Sequence, residues 1–67
     1  MPLPLVTAFE ARLHKADGSL SIIMKVNAFG PHDAKIQAER MLRGDIAYAV
    51  IRQGMAEVAT VHRDRPH

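Results

Sequence analysis

The side chains of this 67-residue chain that could carry chemistry are four histidines, seven carboxylates and four aliphatic hydroxyls, and their spacing limits what they can do. A preset metal site needs ligands that one element brings to one face, such as histidines at i and i+4 of a helix or a histidine and a carboxylate close together on a strand. His14, His32, His62 and His67 show neither arrangement. His62, Asp64 and His67 lie near one another in sequence, but they would converge only by ordering a chain end, and that entropy opposes binding. No metal or other cofactor is expected. Thr7, Ser19, Ser21 and Thr60 supply the hydroxyls, none of them in a Gly-x-Ser-x-Gly elbow. Ser19 after Asp17-Gly18 reads as turn chemistry, and Asp33 beside His32 suits a helix start. Cysteine is absent, which excludes disulfides, thiolate zinc sites and cysteine nucleophiles. The four glycines are isolated, so no phosphate-cradling loop is expected. The chain reads as non-enzymatic, with no small-molecule substrate.

Basic residues offer a different chemistry. Nine Lys and Arg against seven Asp and Glu give a formal net charge of +2, a mild bias with the signs interspersed along most of the chain. Arg40, Arg43, Arg52, Arg63 and Arg65 could contact phosphates if a helix terminus and a second hairpin turn lie together, which makes a small basic nucleic-acid-binding protein the alternative function. Two Phe and one Tyr are few for a base-stacking sheet.

The elements that must position these groups follow from patterning. Hydrophobic residues make up 48% of the chain and charged residues 24%, a composition that folds, and the length allows one domain with a small core. Asp17-Gly18 sits between two alternating runs and predicts a two-residue type I′ hairpin whose partners sum to 35. Leu13 then faces Ile22, Ala11 faces Met24 and Phe9 faces Val26 on an apolar core side, with Glu10 opposite Lys25 on the other. Gly30-Pro31 opens a helix expected over residues 31–43, with Ala34, Ala38, Met41 and Leu42 inward and His32, Ile36, Glu39 and Arg43 outward. Residues 46–51 are continuously apolar and read as a buried strand, with a short helix over 45–53 as the fallback. Gln53-Gly54 then turns into a last strand of undetermined register. The expected fold is α+β, ββαββ, with one helix on one face of an antiparallel sheet of order 2-1-3-4, or ββαβ with a second short helix. Residues 1–62 form the domain, and residues 63–67 are expected to be a flexible basic tail.

A helix of 13 residues is about 20 Å long and cannot cover both faces of such a sheet. Part of the apolar surface should therefore stay open, and open apolar patches mark interfaces. The candidate interface comprises Val6, Ala8, Ile23, Phe29, Ile36 and Tyr48, with Arg12 and Lys25 on its rim. The expected partner is a second copy of the chain, another protein, or both. In size and layout the chain resembles the compact inhibitors with which phages and other mobile elements block host defence proteins, such as anti-CRISPR proteins; the likeness is one of scale and rests on no particular residue. The start of the chain has no basic run and two prolines interrupt its apolar stretch, so neither a signal peptide nor a membrane span is expected, and a cytoplasmic protein is the expectation.

Overall fold

The computed structural model describes residues 5–63. Its elements run β1 (Thr7–Lys15), β2 (Leu20–Ala28), α1 (Pro31–Glu39), β3 (Ile46–Gln53) and β4 (Ala56–His62). The four strands form one antiparallel sheet in the order β2-β1-β3-β4, with α1 packed on one face, an α+β fold of ββαββ arrangement. Residues 46–53 are strand, so the helical fallback does not apply. Among the described residues no helix is long and apolar enough to cross a membrane.

The first hairpin keeps the expected register from Thr7↔Ala28 to Leu13↔Ile22, with Glu10 opposite Lys25. Its turn differs. Lys15 N–H donates to the Ser19 carbonyl and Gly18 N–H to the Lys15 carbonyl, both at 2.9 Å, which makes a three-residue loop of Ala16, Asp17 and Gly18. Only Gly18 takes a positive φ there, +90°, whereas a type I′ turn would also require it of Asp17. The Asp17 carboxylate instead accepts from Ser19 N–H at 2.9 Å and Ser19 Oγ at 2.7 Å, an arrangement that holds Asp17 on the negative-φ side. The longer loop is absorbed by a register shift between Leu13 and His14.

Pro31 begins α1, and the Asp33 carboxylate reaches back to accept the Phe29 N–H at 3.0 Å. The helix stops at Glu39, short of the expected Arg43. From Arg40 to Leu42 each N–H bonds to the carbonyl three residues back, so the chain tightens rather than extends the helix and tucks Leu42 into the core. Gly44, with φ of +60°, releases the chain into β3. Ala34 and Ala38 are fully buried, and their small side chains let the helix lie close on the sheet. The core joins them to Phe9, Ala11, Leu13, Val26, Ala28, Leu42, Ile46, Ala49, Ile51 and Val61, with Met41 packed alongside. In β3 the buried residues alternate through Ala49 and Ile51, while Tyr48 and Val50 on the opposite face are half-buried. The continuous apolar run therefore serves one fully covered face and one partly open one. β4 places Val61 opposite Ala49 and Thr60 opposite Val50, and shifts register beside Arg52. Arg63, expected to begin a loose tail, instead donates its N–H to the Ala47 carbonyl at 2.9 Å, while Arg65 and His67 lie outside the described residues.

Candidate protein interface

The face of the sheet that α1 leaves open is assembled from rows that cross all four strands. One row reads Ile23, Arg12, Val50 and Thr60, and the next reads Lys25, Glu10, Arg52 and Glu57. The second row alternates in charge, which is favourable across neighbouring strands. Arg12 Nε also lies 3.4 Å from Glu10 Oε1. A third row is aromatic: the His14 and Tyr48 rings stack with centroids 4.8 Å apart, and His62 leans against Tyr48 at 5.7 Å. His14 Nδ1 is 3.1 Å from the Gly18 carbonyl, which ties this row to the hairpin loop. The open face is thus mostly polar, and apolar side chains are set into it singly.

The six candidate interface residues consequently do not form one patch. Val6, Ala8 and Phe29 lie at the end of the first hairpin remote from its turn, where Ala8 stands opposite Asn27 and Phe29 directly follows β2. Ile23 and Tyr48 lie beyond the charged row, and Ile36 is exposed on the outer side of α1. The largest run of exposed apolar side chains includes only Ile23 of these six and lies along the edge strand β2. Leu20 and Ile22 are 50% exposed, Ile23 46% and Met24 39%. Ile22 and Met24, expected in the core opposite Leu13 and Ala11, lie on the helix side of the sheet beyond the reach of the nine-residue α1. Leu20, Ile22 and Met24 were therefore not recognisable as surface residues from one-sided alternation. The signal for them is that Ile22, Ile23 and Met24 are consecutively apolar, which a strand at the edge of a one-sided core does not require.

The groups that could carry other chemistry are engaged in local structure. Ser19 bonds to Asp17, Thr60 Oγ1 to Glu57 at 3.2 Å, and Gln37 Nε2 to Asp33 at 3.4 Å. The Asp17 carboxyl is held below its ordinary pKa first by the Ser19 hydroxyl and then by the Ser19 N–H. Arg43 Nε donates to the Arg40 carbonyl at 3.1 Å and Arg63 to the Gly44 carbonyl, so Arg43 and Arg63 complete the backbone bonding where the helix ends, and Arg40 lines a cleft there with Arg63. Arg52 does not join them: it lies near the far end of β3, about 20 Å along the strand, and donates to the Met55 carbonyl at 3.1 Å. An open cleft between the hairpin loop and the start of β3 is lined by Lys15, Asp17, Asp45, Tyr48, His62 and Arg63, a balanced set of charges in which Lys15 and Asp45 pair at 3.6 Å. Among the described residues no three His, Asp or Glu side chains converge closely enough to hold a metal ion. Comparison with protein-family models, with curated proteins and with solved structures found no match.

Proposed function

We propose that this chain is a small non-enzymatic protein-interaction module that works as a homodimer joined through its sheet, and that its activity is to occupy or organise a protein surface. One observation carries the reading: β2 is a nine-residue edge strand with four large apolar side chains exposed in a run of five positions. Isolated soluble sheets blunt their edges with charges, prolines, bulges or cover, because an open apolar edge recruits any strand that meets it. β2 has one charged residue, Lys25, no proline, and a register shift at Ser21 that leaves residues 22–28 regular and open for pairing. Such an edge is stable in solution when a partner occupies it.

The contact is small, at the lower end of specific interfaces, so micromolar affinity and concentration-dependent assembly follow. Ile23→Asp tests the proposal, because it places a carboxylate on the exposed edge without touching the core. The expected result is an unchanged circular dichroism spectrum with the molar mass falling from dimer to monomer. A wild-type mass that is monomeric at all concentrations, or a dimer indifferent to Ile23→Asp, removes the proposal. Retention on a nucleic-acid column that weakens steeply with salt and with Arg63→Ala would move the function to phosphate binding.

A further inference from the structure

We infer that the partner of β2 is the β2 of a second copy, paired antiparallel about a twofold axis at Met24, so that two four-stranded sheets become one of eight strands. The inference rests on the homodimer proposed above and specifies its geometry.

The directions of the backbone groups lead to it. Gln37 Nε2 donates to the Asn27 carbonyl at 2.9 Å, and α1 does not lie between β2 and β1, so that carbonyl points away from β1. Backbone groups of a strand turn alternately to its two sides, and β2 has no register shift from Ile22 to Ala28. Ile23 and Lys25 therefore also turn N–H and C=O to the open side, while Ile22, Met24 and Val26 bond to β1. The far edge gives the same parity independently. Arg63 N–H bonds to the Ala47 carbonyl, so odd residues of β3 face β4 and even ones face β1. Even residues of β1 then face β3, because Arg12 stands opposite Val50, and odd ones face β2, because Ala11 stands opposite Met24. Odd residues of β2 are left facing outward.

The open stretch is bounded on both sides. The Gln37 side chain occupies the Asn27 carbonyl, and the register shift falls at Ser21. Ile23 and Lys25 remain, two residues offering two donors and two acceptors. A twofold axis perpendicular to the sheet keeps every residue on its own face, so paired positions must sum to an even number. A sum of 46 sets Ile23 against itself and Lys25 against the shifted Ser21. A sum of 50 sets Lys25 against Lys25 and Ile23 against the occupied Asn27. Only a sum of 48 pairs Ile23 with Lys25 of the second copy in both directions, which gives four hydrogen bonds from groups that are otherwise free. It also keeps the two lysines from facing each other and overlaps β2 along its whole length, with Met24 on the axis and Ile22 opposite Val26.

Three measurements on the full chain test the pairing. The Ile23 and Lys25 amides should exchange more slowly with solvent as protein concentration rises, while those of Ile22 and Met24 are protected by β1 throughout. Thr60→Cys introduces the only thiol, and nitroxides on it should lie about 34 Å apart, seven strand spacings across an eight-stranded sheet. Ile23→Pro removes an outward N–H, which an edge strand tolerates, and should yield a folded monomer. A dimer whose nitroxides lie within about 20 Å, or whose Ile23 and Lys25 amides ignore concentration, overturns the β2 pairing and leaves self-association standing. A monomer at every concentration overturns both. If Ile23→Pro fails to fold, the exchange and distance measurements still decide.

Discussion

Two isoleucines on the same side of the sheet have different fates in this fold, and shortening each to alanine separates folding from association. Ile51 is 0% exposed beneath α1, whereas Ile22 is 50% exposed beyond the helix. Ile→Ala removes about three methylene equivalents, worth about 2.4 kcal/mol when fully buried. At Ile51 the cavity left behind adds to this, for a loss of about 3–4 kcal/mol. With an unfolding entropy of about 0.14 kcal/mol/K for 67 residues, the melting temperature should fall by about 20–30 °C. At Ile22 half of the transfer term is already absent in the monomer, so folding should lose about 1.2 kcal/mol, or about 8 °C. The other half is realised only when the edge is covered, in each of two copies, so the dimer should weaken by about 2.4 kcal/mol, about 60-fold in Kd. Thermal unfolding at low concentration measures the first quantity and sedimentation equilibrium the second. Ile22→Ala that destabilises folding as much as Ile51→Ala, with Kd unchanged, would refute the assignment of Ile22 to an interface.

Gly18→Ala should lower stability by about 1–2 kcal/mol, because φ of +90° strains any L side chain; the nearest atom to the added Cβ is Tyr48 Oη at 3.8 Å, so crowding contributes nothing, and an unchanged melting temperature would contradict the loop conformation. The Asp17 carboxyl should titrate below an unstructured aspartate in an NMR pH series, since Ser19 bonds to its ionised form. Its folded pKa being depressed, its contribution to the hairpin is present above the unfolded pKa, about 3.9, and is lost as pH falls through the lower folded value. Ser19→Ala should move that titration upward, and a midpoint at or above the ordinary value in the native chain would show that the loop bonds do not persist in solution.

Much of the architecture was legible because several local signals agreed. The hairpin register rested on two independent features, apolar matching and the Glu10–Lys25 opposition, and both occur in the fold. Gly30-Pro31 and Asp33 located the helix start through their backbone chemistry. The hairpin loop is not legible from Asp-Gly alone, because that dipeptide also suits a three-residue loop in which glycine alone takes the positive φ, and the Asp17–Ser19 bonds select that form. The helix ended early because a tightened turn satisfies Arg40 to Leu42 while burying Leu42, an outcome that helical periodicity does not distinguish from one more turn. The candidate interface was only partly legible for a related reason. Alternation identifies which side of β2 a residue occupies, but the length of α1, nine residues, decides whether that side is covered. Ile22 and Met24 thus carry a core pattern and a surface position at once.

Solution mass is the most direct test of the central claim that the open β2 edge is completed by a second copy. In sedimentation equilibrium from micromolar to millimolar protein, the mass should rise from 7.4 kDa toward twice that value and no further, since each copy has one such edge. A constant 7.4 kDa across the range, with the fold intact, would contradict it.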